Sequence, residues 1–278
     1  MRFAHLADTH LGYRQYNLDE REEDFYRAFN EAVDKILMHK CDFVVHSGDL
    51  FDEPRPHVRA MVEVRKALEK LHDNHIPFFA IPGNHDILMR RGAVIPHAIY
   101  RKMEILTDKN PWREHEGIFI CGLQYHSRIH SGALRDRLKE LGREAEKHEK
   151  RILLLHQGIE RYIPLEYELK FSDIPNFDYY ALGHVHKRIL DGKLAYPGAT
   201  EMWRMDEIED YEKNGKGFYI VDTDNFSVEK VELEGIRPFM RFEVDASCDI
   251  EKIKKKIAGG RPVLNITVAS EIHEYQQL

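Results

Sequence analysis

The chain has 278 residues, 42% apolar and 32% charged, which fits a globular protein of roughly two domain lengths and excludes a disordered one. No window reaches the roughly 18–20 apolar residues of a membrane span; residues 1–11 lack the parts of a secretory leader, and Cys41, Cys121 and Cys248 are scattered outside any C-x-x-C pattern, so a reducing cytoplasm is the expected setting. The net charge of −7 argues against nucleic-acid binding by bulk charge but leaves room for a local basic groove.

Arg2 to Ala7 reads as a short apolar strand. From Glu20 to His39 the residues Phe25, Phe29, Val33, Ile36 and Leu37 recur at helical spacing. Asp42 to His46 is a second strand, His57 to His75 a helix carrying Met61, Val64, Leu68 and Leu71, and Pro77 to Ile81 a third strand. Gly92 to Met103 is apolar and reads as a helix, Gly117 to Gly122 as a strand, and Ser131 to Lys147 as a charged, solvated helix. Further strands are expected over 151–156, 177–182, 193–196 and 217–222. Residues 226–233 should pair with the last of these as a hairpin, because Asp222-Thr-Asp-Asn225 is turn chemistry. Strand–helix alternation predicts an α/β layered core whose early strands, as unbroken apolar runs, are covered on both faces. After Gly235-Ile-Arg-Pro238 the pattern restarts with strand 239–244, helix 249–257 and strand 262–268, which reads as the start of a small α+β domain.

Five short motifs fall where predicted strands end: Asp8-Thr-His10, Gly48-Asp49, Gly83-Asn-His-Asp86, His156 and Gly183-His-Val-His186. In an open α/β sheet, ligands bind beyond the carboxyl ends of the strands, so these residues can meet despite their separation in sequence. Carboxylate, imidazole and amide oxygen are the donors that hold Mn²⁺, Fe²⁺ or Zn²⁺. Asp8 and His10, like His184 and His186, are two residues apart, and in extended backbone such pairs point to one face. Asp49 has two oxygens and can bridge two cations, and two cations about 3.5–4 Å apart can clamp a phosphoryl group and activate water. Each motif alone has an ordinary reading: a surface turn for Asp8-x-His10, a loop for Gly48-Asp49, a hydrogen-bonded histidine for His156. Five together, all at strand ends, favour a two-metal site.

This order of motifs is similar to that of the calcineurin-like metallophosphoesterase superfamily. Leu11-Gly-Tyr13, Ser47-Gly-Asp-Leu-Phe51, His156-Gln-Gly158 and Tyr180-Ala-Leu-Gly-His-Val-His-Lys187 resemble more closely the nuclease subunit of the Mre-eleven/Rad-fifty break-repair complex (SbcD in bacteria), archaeal members above all. The resemblance covers about residues 1–235. It implies a layered β-sandwich metallophosphoesterase core flanked by helices over 1–235 and an incomplete capping domain over 236–278. It implies a first metal site of Asp8, His10, Asp49 and His186 and a second of Asp49, Asn84, His156 and His184. Two Mn²⁺ would be bridged by Asp49, with Fe²⁺, Mg²⁺ or Zn²⁺ as alternatives. His85 would be the general acid or transition-state stabiliser, and Asp86 would either orient it or form an ordinary salt bridge. The implied activity is manganese-dependent hydrolysis of DNA phosphodiesters, 3′-to-5′ exonuclease and single-strand endonuclease, in double-strand-break repair at the nucleoid. Many family members carry a histidine directly after Gly-Asp-Leu-Phe, where this chain has Asp52, so that histidine's role at duplex ends has no counterpart here.

Candidate phosphate contacts are Arg14, Arg55, Arg59, Arg90, Arg91, Lys187 and Arg188, all close in sequence to a metal motif, with Tyr13, Tyr16 and Tyr162 available for stacking. Val94, Ile95, Ile99 and Met103, with Val58, Met61 and Val62, are either core or, by the family's four-helix contact, a homodimer face. The further partner implied is a Rad-fifty/SbcC-type ATPase. The chain is expected to stop inside the capping domain, which would leave the ATPase-binding segment outside it. Two other readings stay open: a calcineurin-like phosphodiesterase or phosphatase with another substrate, and a metal-free scaffold on the same fold.

Overall fold

The computed structural model describes residues 1–88, 90, 92–244, 250–257 and 261–268. In chain order the elements are β1 (Arg2–Leu6), α1 (Asp19–Met38), β2 (Phe43–His46), α2 (Val58–Asp73), β3 (Phe78–Ala80), β4 (Met103–Ile105), β5 (Trp112–His115), β6 (Ile118–Leu123), α3 (Ser131–Ala145), β7 (Lys150–His156), β8 (Tyr179–Gly183), β9 (Ile189–Asp191), β10 (Leu194–Tyr196), α4 (Ile208–Asn214), β11 (Gly217–Asp222), β12 (Val228–Glu232), β13 (Phe239–Val244), α5 (Ile250–Ile257) and β14 (Val263–Val268). They build two six-stranded sheets, ordered β12-β11-β1-β2-β3-β4 and β5-β6-β7-β8-β10-β9, and a separate pair β13-β14. Strands β1 to β4 run parallel, as do β6, β7, β8 and β10, while antiparallel pairing brings in β11 and β12 beside β1, β5 beside β6 and β9 beside β10.

Successive strand residues face opposite ways, and this sorts the apolar runs into three cores. Phe3, Phe43, Val45, Phe79, Ile120, Ile152, Leu154 and Tyr219 meet between the sheets. On the outer face of the first sheet, Ala4, Leu6 and Val44 join Phe29, Val33 and Ile36 of α1 and Val64 and Leu68 of α2. On the outer face of the second, Phe119, Leu153 and Leu155 join Leu134, Leu138 and Leu141 of α3. The architecture is therefore helix–sheet–sheet–helix, the layered sandwich expected. Helix α1 forms because Phe25, Phe29, Val33 and Ile36 recur every three or four residues, and Asp19, Glu20 and Glu22 favour the positive end of the helix dipole. The β11–β12 hairpin also forms as expected: Asp224 N–H donates to Asp222 Oδ1 (2.8 Å) and Ser227 N–H to Asn225 Oδ1 (2.9 Å).

Three expectations are corrected. Residues 92–103 are not a helix: Pro96–Ile99 forms a single 3₁₀ turn, and Met103 begins β4 opposite Phe78. Pro96 lacks an N–H, and Gly92 adopts φ +76°, so neither suits a helix interior. Met103 is consequently 6% exposed, a core residue rather than part of a dimer face. Helix α3 is solvated on one side only, since Leu134, Leu138, Leu141 and Ala145 are buried. The restart after residue 238 does appear as β13, α5 and β14, with Phe239 opposite Val263 in a parallel pair. Phe239 packs into the α1 core, and Arg237 donates to Asp24 Oδ1 (2.9 Å). No described helix is long and apolar enough to cross a membrane.

Candidate metal centre

The loops leaving β1, β2 and β3 of one sheet are stitched to those leaving β7 and β8 of the other. Asp8 N–H donates to Gly48 O (3.0 Å), His10 N–H to Asp49 O (3.1 Å) and His184 N–H to Asp8 Oδ1 (3.0 Å). The backbone here is not extended, as the two-residue spacings suggested: Asp8, His10, Asp49 and His184 have φ of 52°, 43°, 54° and 84°. Such conformations cost a non-glycine residue of order 1–3 kcal/mol and persist only where the surroundings impose them. The crossed hydrogen bonds impose them, so the paired residues converge by turning rather than by pleating. Gly83 is demanded by close approach, because a Cβ there would run into the Asp49 carboxylate and backbone nitrogen. Gly83→Ala is expected to lower stability by about 1–3 kcal/mol in denaturant unfolding. It should also weaken divalent-metal binding although no donor is removed; a variant unchanged in both would contradict this account.

All seven residues expected to hold metal meet at this edge. In one half, His10 Nε2 lies 3.1 Å from His186 Nε2, and Asp8 Oδ1 is 3.9 Å from the latter. In the other, Asn84 Oδ1 lies 3.0 Å from His156 Nε2 and 3.0 Å from His184 Nδ1. Asp49 Oδ2 belongs to both, 3.8 Å from His10 Nε2 and 3.1 Å from His156 Nε2. Asp8, His10, Asp49 and His156 are buried.

Bonds behind the cluster decide which atoms face it. His156 Nδ1 donates to Ser47 O (2.7 Å), so its Nε2 faces two acceptor oxygens, from Asp49 and Asn84. Acceptors crowded around one ring nitrogen call for positive charge. Burial disfavours the His156 imidazolium, but Asp49 and Asp8 outweigh it and push its pKa up to about 9. Burial likewise disfavours an ionised Asp49, yet His156 and His10 hold it well below the usual carboxylate range. His184, buried and beside His156, is pushed down to about 3. A divalent cation in place of the proton shared by Asp49 and His156 satisfies the same donors, and carboxylate, imidazole and amide oxygen together fit such ions.

The first 188 residues match the family model described as calcineurin-like phosphoesterase. The DNA double-strand break repair protein Mre11 of Methanocaldococcus jannaschii is 46% identical over 274 residues, which span 92% of this chain and 75% of the relative. The Mre11 proteins of Methanococcus maripaludis and Saccharolobus solfataricus are 40% and 35% identical, over 84% and 98% of this chain and 67% and 76% of their own lengths. The chain belongs to the calcineurin-like phosphoesterase family, among the archaeal-type Mre11 proteins. Family and donor set agree on divalent metal as the cofactor.

In this Mre11-type chain His85 stands at the mouth of the cluster, its side chain 28% exposed and its Nδ1 donating to Asp52 O at 2.7 Å. Asp86 does not orient it. The Asp86 carboxylate accepts from the N–H groups of Gly83 (2.9 Å), Leu50 (3.2 Å) and Phe51 (2.9 Å), and so fastens the β2 and β3 loops together. Two site residues, Trp203 and Glu207, escaped sequence reasoning, and a third, Asp52, stood out there only as a departure from the family pattern. Asp52 puts Oδ1 3.2 Å from His10 Nδ1, and Trp203 Nε1 donates to the same oxygen (3.3 Å). The Trp203 ring lies against His10 (5.1 Å), His186 (4.9 Å) and His85 (5.6 Å). Glu207 Oε1 lies 3.1 Å from His186 Nδ1. Asp52 directly follows Ser47-Gly-Asp-Leu-Phe51, whereas no motif marks Trp203 or Glu207; the signal there was a tryptophan, one of two in the chain, after the last histidine motif.

A cleft of about 440 Å³ opens over the cluster, lined among others by Tyr162, Lys187, Trp203 and Arg204. Of the residues expected to touch DNA, Lys187 lines it, and Arg55, Arg90 and Tyr16 are exposed. Arg14 is paired with Asp19 (2.6 Å), and Arg59 with Glu23. Arg188 is withdrawn from the list: it is 5% exposed and donates to the carbonyls of Asn214, Phe218 and Val231, clamping β11 and β12. Arg91 lies outside the described residues. Arg204, its guanidinium 4.2 Å from the Trp203 ring, is a cation the sequence did not single out. Away from the cleft, Val58, Met61, Val62 and Ile99 line an apolar groove of about 500 Å³ along α2, with Ile95 half-buried nearby.

Proposed function

We propose that the chain is a DNA-break-repair nuclease that hydrolyses phosphodiesters with two divalent cations, manganese being the expected ions. Its activities would be 3′-to-5′ exonuclease and single-strand endonuclease, in the cytoplasm and in company with a Rad-fifty-type ATPase. The observation that carries this reading is Asp49, whose one carboxylate oxygen reaches histidines of both halves of the cluster. Asp8, His10, Asp49 and His186 would hold one ion, and Asp49, Asn84, His156 and His184 the other. When bound, the pair supplies an acidified water and neutralises charge on the phosphoryl oxygens.

The chain's own residues do the rest. His85, tied through Nδ1 to the Asp52 carbonyl, presents Nε2 to the departing 3′ oxygen as a proton or hydrogen-bond donor. Lys187 and Arg204 offer cations to flanking phosphates, and the rings of Trp203 and Tyr162 suit unpaired bases better than a closed duplex. The break-repair role named for the relatives supports DNA as the substrate. Residues 236–278 are read as belonging to a capping domain. Incubation with manganese and labelled single-stranded DNA, in parallel with a phosphate monoester, tests the proposal. Cleavage of DNA alone is expected. Hydrolysis of the monoester alone would make the protein a phosphatase, and inertness toward both would leave a scaffold.

We further propose that the α2 groove is a homodimer face, because Val58 is 76% and Ile99 54% exposed beside it. A dimeric mass in solution at micromolar concentration is expected, reduced to the monomer by Val58→Asp. A monomeric mass for the unaltered chain would contradict it.

A further inference from the structure

Glu207 lies outside every motif and outside the seven residues read as ligands, yet it is buried directly behind one of them. Its Oε1 is 3.1 Å from His186 Nδ1 and accepts the Arg204 N–H (3.1 Å), while its Oε2 is ion-paired with Lys216. Lys216 donates in turn to the backbone carbonyl of His186 (3.2 Å). Glu207 is 4% exposed and Lys216 1%. A buried ion pair is a poor stabiliser, since desolvation consumes most of the attraction and apolar residues of similar volume often serve as well. This pair grips one ligand at two points, however: Glu207 holds the imidazole of His186 and Lys216 its carbonyl.

A carboxylate that accepts an Nδ1–H fixes the tautomer and the plane of the ring and leaves the Nε2 lone pair free. The Nε2 of His186 points at Asp8 and His10. His156 achieves the same through the Ser47 carbonyl, but without a charge behind it. We propose that Glu207, anchored by Lys216, is the positioning residue for His186, presetting it as an Nε2 donor to a divalent cation. This rests on the reading of His186 as a metal ligand. Glu207 also accepts the N–H groups of Trp203 and Arg204, so a purely structural role in holding that turn is the competing account.

Calorimetric titration of the metal-free protein with manganese alone separates the two, applied to the unaltered chain, Glu207→Gln, His186→Ala and the double variant. Thermal unfolding of each metal-free protein confirms that it is folded. Glu207→Gln should weaken one of two binding events by about 10–100-fold. His186→Ala should weaken the same event, and adding Glu207→Gln to it should cost nothing more, because the carboxylate acts through the imidazole. Should Glu207→Gln not fold, Lys216→Met takes its place in the same cycle, since it leaves the carboxylate without its anchor. Unchanged affinity in Glu207→Gln, or an equal loss with and without His186, would overturn the positioning role while leaving the ligand assignment intact. Unchanged affinity in His186→Ala would overturn both.

Discussion

Asp49→Ala is expected to remove both divalent-metal sites and DNA hydrolysis together. Asp49 supplies the carboxylate that reaches both halves, through Oδ2 at 3.8 Å from His10 and 3.1 Å from His156. Removing any other donor should impair one half first; removing this one takes a carboxylate from both halves and leaves Asn84, His156 and His184 with none. The loss amounts to several kcal/mol of charge stabilisation, which corresponds to roughly 10³-fold or more in rate. Part of the damage in the alanine variant is structural, because Asp49 Oδ1 also accepts the His85 N–H (2.8 Å). Asp49→Asn separates the two effects, since the amide oxygen can still accept that bond but carries no charge. Asparagine should fold with His85 in place and still bind manganese poorly, as read by calorimetric stoichiometry beside single-strand cleavage. Two manganese ions per chain in Asp49→Asn, bound as tightly as before, would defeat the bridging assignment.

How much of this was legible in the sequence depends on whether the signal was local. The apolar runs of β1, β2, β3, β7 and β8 announce interior strands, and strand ends are where ligands gather, so Asp8, His10, Asp49, Asn84, His156, His184 and His186 could be placed at one edge before any coordinate was known. Their convergence nonetheless rests on more than strand pleating. Pleated i, i+2 geometry does not apply where φ is positive, and left-handed turns at aspartate and histidine leave no mark on the one-dimensional pattern. Residues 92–103 show the opposite failure. Their apolar content is real, but apolar content without helical spacing is equally consistent with a loop packed on a core, and Pro96 disfavours a helix interior. Arg188 looked like a phosphate contact because it adjoins Lys187 and a histidine motif, yet its neighbour faces the cleft and it faces β11, as alternation along an extended segment allows. Asp52 and Glu207 back His10 and His186, and Trp203 packs across those rings at the cleft. Supporting residues of that kind are chosen by distance in three dimensions and carry no spacing rule.

His85→Gln should keep both metal sites and lose roughly 10²- to 10⁴-fold in rate. The ring of His85 groups with His10 and Asp52, and its bond to the Asp49 carboxylate is made by the backbone N–H, which glutamine retains. Metal stoichiometry and folding stability should therefore stay near those of the unaltered chain. Glutamine can still donate a hydrogen bond but cannot release a proton, so the fall should appear in kcat while KM moves little. The leaving group supplies the sharper measurement. A phosphodiester that expels nitrophenolate departs without protonation, and with it the variant should recover most of its rate; DNA, whose alkoxide needs the proton, should show the full deficit. An equal deficit on both substrates would mean that His85 stabilises charge on the phosphoryl group rather than delivering a proton. No deficit on either would remove His85 from the reaction and return attention to Trp203 and Asp52, the two groups that already share its corner of the cleft.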